Sequence, residues 1–286
     1  MFQVEVVSKE TVKQCNSSDW FDQRAGRITA SKMKAVYRTN PLVPSVSLIK
    51  AICYPNAVRF KSRATNWGCE HEKRALDAYH KTVKNLHVNP TISETGLVID
   101  IQLPIVGGSP DGLIDCECCG KGCIEIKCPV CQDTDVVPSC LTSDTLMLKH
   151  DHEYYYQVQT QMGVTQLQYT DFVVWREDQV VINRIKFDAS FYSMITKQAK
   201  LFFVKCVCPE LLGKWFSRNP LPGQRVMSTV NAVCYCRRTA ADDNAMAHCS
   251  NPSCQIQNFH LECLRLKNKP KRLWYCPDCR KLMKSS

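Results

Sequence analysis

Between residues 234 and 279 the chain carries paired metal ligands at a spacing that leaves few folding options. The run is Cys234-x-Cys236, twelve residues, Cys249-x4-Cys254, five residues, His260-x2-Cys263, twelve residues, then Cys276-x2-Cys279. Close pairs of thiolate and imidazole can grip one ion from two sides, and eight such ligands suffice for two tetrahedral Zn²⁺ sites. A segment this short cannot bury enough apolar surface to fold alone, so ligation has to supply much of its folding free energy. His248, beside Cys249, falls outside this register.

The whole chain holds 19 cysteines, so the redox compartment matters. Met1-Phe2-Gln3-Val4-Glu5 lacks a basic stretch followed by an apolar one, and no secretory signal is read there. No uncharged apolar run is long enough to span a bilayer, so no membrane partner is expected. A reducing compartment favours metal ligation or free thiols over disulfides. Formal net charge is +10, spread over both parts of the chain. That suits a polyanionic partner or simple solubility. The stretch Ser217-Arg218-Asn219-Pro220-Leu221-Pro222-Gly223-Gln224 reads as a linker by its turn-forming content. The expected organisation is a domain over 1–216, a linker over 217–230 and a small zinc-bearing domain over 231–283.

The larger part carries a second set of ligands. Cys123-Ile124-Glu125-Ile126-Lys127 reads as a strand, whose side chains alternate faces. Glu125 and Lys127 leave one face together, while Ile124 and Ile126 point to a core. Asp111, in Ser109-Pro110-Asp111-Gly112, precedes Glu125 with thirteen residues between them. A helix over roughly 64–84 puts Gly68, Glu72, Ala75 and Tyr79 on one face. Asp111, Glu125 and the Ile126 carbonyl can hold one Mg²⁺ or Mn²⁺, and Glu72 a second. Lys127 can orient a water or stabilise a phosphoryl transition state. The plainer alternatives are a structural ion pair at Glu72, an ordinary turn at Asp111-Gly112 and a simple helix start at Ser31. Thr29 is expected to cap that short helix, and a further helix over 153–164 carries Tyr154, Gln157 and Gln161 on one face.

Five blocks in order resemble the phage lambda exonuclease and YqaJ-type viral recombinase nucleases of the PD-(D/E)xK superfamily. They are Trp20 to Arg24 with Gly26-Arg27-Ile28-Thr29-Ala30-Ser31, Trp67-Gly68-x3-Glu72, Gly108-Ser109-Pro110-Asp111-Gly112-Leu113, Glu125-Ile126-Lys127-Cys128-Pro129, and Tyr154-x2-Gln157-Val158-Gln159. The resemblance implies an α/β fold of restriction-endonuclease-like type, a mixed sheet flanked by helices. It implies Asp111, Glu125, the Ile126 backbone and Glu72 as metal ligands, Lys127 as the catalytic amine, and Tyr154 and Gln157 as supporting or DNA-contacting groups. Arg24, Ser31 and Ser109 match the family's pocket for a strand's 5′-phosphate. Independently, a helix start at Ser31 and a guanidinium at Arg24 both suit an anion.

Between the two acids the chain departs from that pattern with Cys116, Cys118, Cys119 and Cys123, followed by Cys128 and Cys131. These form either an extra metal site or a thiol-rich hairpin tip. The ligand order of the tail, with Trp274 two residues before Cys276, resembles a PHD finger. That resemblance implies interleaved pairing: Cys234, Cys236, His260 and Cys263 on one Zn²⁺, and Cys249, Cys254, Cys276 and Cys279 on the other. Fingers of this kind commonly read histone tails. Here Val233 and Asn258 stand where methyl-lysine readers place rings, leaving Met246 as a wall, while Asp242 and Asp243 suit an unmodified basic tail. A finger that only folds, or pairs with another protein, is the alternative. The joint expectation is a nuclear, Mg²⁺-dependent exonuclease acting on duplex DNA ends and tethered to a chromatin- or protein-binding finger. A catalytically silent DNA-end or chromatin module and an endonuclease on the same fold are its competitors.

Overall fold

The computed structural model describes residues 2–57, 63–130, 137–217, 234, 245–252, 254, 256–270 and 272–282. The expected linker, apart from Ser217, and Cys131, Val233, Cys236, Asp242 and Asp243 lie outside them.

The chain begins with helices α1 (Phe2–Glu10) and α2 (Ser18–Arg24), strand β1 (Ile28–Thr29), a 3-10 turn at Ala30–Lys32, and helices α3 (Met33–Arg38), α4 (Val46–Cys53) and α5 (Arg63–Leu86). Strands β2 (Thr91–Ser93), β3 (Val98–Ile99), β4 (Val106–Gly108), β5 (Gly112–Cys116) and β6 (Gly120–Lys127) follow, then α6 (Glu153–Thr165). The hairpin β7 (Tyr169–Trp175) and β8 (Val180–Lys186) leads to α7 (Ala189–Phe202) and α8 (Cys208–Gly213). The cysteine-rich tail adds the pair β9 (Met246–His248) and β10 (Asn258–His260) and helix α9 (Pro277–Leu282).

The main sheet runs β2-β5-β6-β7-β8 and is mixed: only β6 and β7 pair in parallel. A parallel pair needs a crossover, and α6 supplies it. Strand alternation then decides the layers. Ile124 and Ile126 of β6 pack with Ala75, Tyr79 and Val83, the apolar stripe of α5. Val158 and Met162 of α6 cover Phe172 and Val174 on the other side. This is the sheet between helices expected from the sequence. A smaller sheet, β1-β4-β3, shares its core with α3, α4 and α7 through Ile28, Met33, Ile49, Val106, Ile195 and Phe202.

Two local details set up the site. A Cβ on Gly108 would lie 3.3 Å from Gln161 and Val164 and 3.4 Å from Ala30, so its lack of a side chain lets α6 lie close to β4. Thr29 stands at the expected N-cap of this turn with the extended backbone of a cap, but its side chain makes no capping bond to the turn that follows. The hydroxyl is engaged instead with Arg24 and Ser31.

Candidate active site

The α6-facing side of β6 presents Glu125, only 1% exposed, to a row of amides. Gln157 Nε2 and Lys127 Nζ each donate to Oε1 at 2.5 Å, and Gln161 Nε2 donates to Oε2 at 2.6 Å. A buried carboxylate is tolerated only when its lone pairs are met, and three donors meet these. Gln157 and Gln161 reach it together because residues four apart share a helix face. Gln161 Nε2 also lies 3.2 Å from the Ser109 carbonyl, which ties α6 to the segment bearing Asp111.

Asp111 sits beside β6 in a fixed posture. Its N–H donates to the Ile124 carbonyl at 3.0 Å, and its Oδ2 accepts from the Ile126 N–H at 2.7 Å. Burial, then Glu125 and Glu72, raise its carboxyl well above the usual range, against the pull of Lys127 and the Ile126 N–H. Glu72 lies at the open end of the α5 stripe. Its side chain has exposed surface, yet its carboxyl is desolvated enough, and near enough to Glu125, to be raised as well. Burial opposes the charge on Lys127, but Glu125 and Asp111 outweigh it and raise the ammonium above its ordinary value. The ammonium also stands 4.6 Å from the ring of Tyr154, which walls the site on the α6 side. Thus Glu72, Asp111, Glu125 and Lys127 act on one another electrostatically, with Gln157 and Tyr154 against them. Such an all-oxygen set, with Asp111 and Glu72 raised by burial and by Glu125, fits hard cations, which retain several waters.

The anion-pocket candidates form a connected group near one end of this site. Arg24 lies over the Trp20 ring at 3.7 Å, and its Nη2 reaches Thr29 Oγ1 at 3.4 Å. Thr29 Oγ1 and Ser31 Oγ are 3.4 Å apart, and Trp20 Nε1 donates to Ser109 Oγ at 2.9 Å. Burial pushes the Arg24 guanidinium down to about 10, with Cys15 opposing, so it keeps its charge at neutral pH.

In the tail, Cys249, Cys254, Cys276 and Cys279 gather with their ligand atoms within 4.8 Å, as do Cys234, His260 and Cys263. His248 joins neither group and its Nδ1 faces Asn258 Oδ1 at 2.9 Å. Met246 is 3% exposed, which removes it as the wall of a surface cage. A third cluster revises the expected ligand set at the β5–β6 tip. Cys116, Cys118 and Cys119 gather around His87 and not around Cys123. The reason is strand alternation: Cys123 shares the α6-facing side of β6 with Glu125, and its Sγ lies 3.4 Å from Thr165 Oγ1. Burial pushes that thiol up to about 11.

Sequence reasoning grouped Gln161 with Gln157 but did not assign it to the site, although the four-residue offset was readable. It missed His87 altogether, which lies 31 residues before Cys118 and follows α5 without any local motif.

Comparisons with known proteins bear on the fold and on the two parts of the chain. In solved structures, an alkaline exonuclease, LHK-Exo, from Laribacter hongkongensis aligns with a TM-score of 0.52 at 26% identity, covering 70% of this chain and 97% of that one. Its complex with dAMP aligns at 0.53 and 25% identity over the same shares. The Inhibitor of growth protein 1 homolog of Dictyostelium discoideum is 45% identical over 49 residues, 17% of this chain and 14% of that protein. The PHD finger protein ING1 of Arabidopsis thaliana is 40% identical over 55 residues, 19% and 24% respectively. The chain therefore spans less than a quarter of the length of either of these relatives, and the likeness fits a PHD-type C-terminal region. Residues 19–168, just over half of the sequence, match the family described as the YqaJ-like viral recombinase domain, and the chain belongs to that family.

Proposed function

We propose that the protein is a divalent-cation-dependent DNA exonuclease that acts on duplex ends, favours a 5′-phosphorylated end, and carries a zinc-bearing PHD finger for chromatin. The observation that carries the reading is the convergence of Lys127, Gln157 and Gln161 on buried Glu125, beside an Asp111 locked to the Ile126 backbone. A purely structural acid needs no second and third carboxylate raised alongside it. Family membership and the fold likeness to an alkaline exonuclease support the same reaction class.

Asp111, Glu125 and the Ile126 carbonyl would hold one Mg²⁺ or Mn²⁺, and Glu72 would serve a second. Such ions, when bound, neutralise charge on a phosphodiester and make a water nucleophilic near neutral pH. The chain's own groups do the rest. Gln157 and Gln161 fix both oxygens of Glu125, so its lone pairs are aimed and not mobile. Lys127 places a positive charge beside the scissile phosphate, where it stabilises the negative charge that grows in the transition state. Arg24, stiffened by its stacking on Trp20, offers a planar fork to a terminal phosphate, with the Ser31 and Ser109 hydroxyls as further donors. A pocket at one end of the cleft would hold the strand terminus and set where cutting starts.

In the finger, Cys234, Cys236, His260 and Cys263 would bind one Zn²⁺, and Cys249, Cys254, Cys276 and Cys279 the other. Relatives include the chromatin modification-related protein YNG2 of Saccharomyces cerevisiae, 40% identical over 47 residues, which supports a histone or other chromatin protein as partner and a nuclear location. No helix among the described residues is long and apolar enough to cross a membrane.

The deciding experiment is digestion of end-labelled linear duplex and of closed circular DNA with Mg²⁺, with and without a chelator. Loss of the linear substrate alone is the expected result. Cutting of the circle would assign an endonuclease, and no Mg²⁺-dependent cutting of either would leave a DNA-end-binding module.

A further inference from the structure

The cluster at the β5–β6 tip is built like a metal site and lies apart from the acids. His87 Nδ1 is 3.2 Å from Cys118 Sγ and 3.6 Å from both Cys116 and Cys119 Sγ. The Cys116–Cys118 and Cys118–Cys119 sulfur separations are 3.6 and 3.7 Å. A disulfide would need about 2.05 Å. A tetrahedron with Zn–S of about 2.3 Å and Zn–N of about 2.0–2.1 Å has edges of about 3.8 Å between sulfurs and about 3.6 Å between sulfur and nitrogen. Four of these five separations therefore lie within about 0.2 Å of such edges, and the His87–Cys118 one is shorter. The same chain supplies an internal standard: Cys254 and Cys276, in one quartet of the tail, stand 3.8 Å apart, and His260 Nδ1 and Cys263 stand 3.9 Å apart in the other group.

We infer that His87, Cys116, Cys118 and Cys119 bind a third, structural Zn²⁺ that staples the end of α5 to the β5–β6 hairpin. All four positions are filled by protein, the closed arrangement of a structural site and not a catalytic one. The backbone is prepared for it. Cys116 ends β5, Gly120 turns the chain at a φ of +70°, and the Glu117 N–H donates to the Val88 carbonyl at 3.0 Å. Asn89 Nδ2 adds a bond to Glu117 at 2.8 Å. A thiolate-rich site carries net negative charge, and Arg184 answers it: Nη1 lies 3.1 Å from Cys119 Sγ, while Nε and Nη2 grip Asp171 at 2.8 and 2.9 Å. Ligation through Nδ1 leaves Nε2 protonated, so the long 3.4 Å contact from Arg184 to Nε2 gives way while the sulfur contact remains. The staple would join the helix that bears Glu72 to the hairpin that bears Asp111 and Glu125, whatever reaction those acids serve.

The test is made on the full chain. Zinc counted by inductively coupled plasma mass spectrometry after desalting should be three per chain, and a Cys118→Ser/Cys119→Ser double variant should hold two. Two per chain in the unaltered protein, or no difference between the two proteins, overturns the inference. A readout independent of any variant uses the exposure of the thiols. Cys118 and Cys119 are exposed, as is Cys15 far along the chain, so free thiols at the tip would alkylate as fast as Cys15. In zinc-replete protein, peptide mapping after brief maleimide treatment should show Cys15 labelled and the tip protected by at least tenfold, with protection lost on chelation. Equal labelling of all three in zinc-replete protein overturns the inference.

Discussion

At the scale of single residues, Asp111 gives the sharpest handle because its environment works against its charge. Its carboxyl is raised by burial, Glu125 and Glu72, so the folded chain takes up a proton above the unfolded value of 3.8. Between those two values, acidification stabilises the cation-free protein; above the raised value, the ionised group costs stability. Asp111→Asn should therefore melt higher than the parent at pH 8 without divalent ions, and the difference should shrink as pH falls through the raised carboxyl range. Differential scanning fluorimetry across pH checks this; a parent that melts higher than the variant at pH 8 would contradict the crowding of acids. Activity should run the other way, falling as the carboxylates protonate and lose the cation. Lys127→Ala should cut turnover by about 10²–10³-fold with duplex affinity within a few-fold, read by gel digestion and fluorescence anisotropy.

At the scale of elements, α6 is what turns a strand with an acid into a site. Gln161 is fully buried and bridges Glu125 to the Ser109 carbonyl, so Gln161→Leu strips a donor from a buried carboxylate. The expected loss is about 1–3 kcal/mol of stability, measured by urea denaturation, together with weaker Mg²⁺ dependence of cutting. Much of this layer was legible in the sequence. The alternation in β6 separates Glu125 and Lys127 from Ile124 and Ile126, and the α5 period puts Ala75 and Tyr79 inward with Glu72 at the end of the stripe. Helices α1 and α4 and strand β2 were not read from the sequence: they are short, and long-range packing carries them where local period does not. His87 was unreadable for the same reason, since only the tertiary pairing of β2 with β5 brings the end of α5 to the thiols. Cys123 stays out of the tip cluster because strand alternation turns it to the α6-facing side, which spacing alone does not reveal.

At the scale of the molecule, the chain joins a DNA-processing fold to a finger whose relatives are chromatin proteins, and the two parts should be separable by substitution. Cys249→Ser should lower the zinc content and abolish histone-peptide capture, while digestion of naked linear duplex stays within about twofold. Arg24→Ala should narrow the rate difference between 5′-phosphorylated and 5′-hydroxyl ends by about tenfold, because a half-buried fork to phosphate contributes on the order of 1.5–3 kcal/mol; an unchanged ratio in a paired digestion would remove the pocket. The parallel pairing of β6 with β7 carries one more consequence, for the order of assembly. Asp111 and Glu125 meet through a local hairpin, which forms in microseconds, whereas Gln157, Gln161 and Lys127's wall at Tyr154 come only with the long crossover. A nascent chain thus brings Asp111 and Glu125 together before their partners arrive, and chain collapse around α6 should be the slow, rate-setting phase seen in stopped-flow refolding.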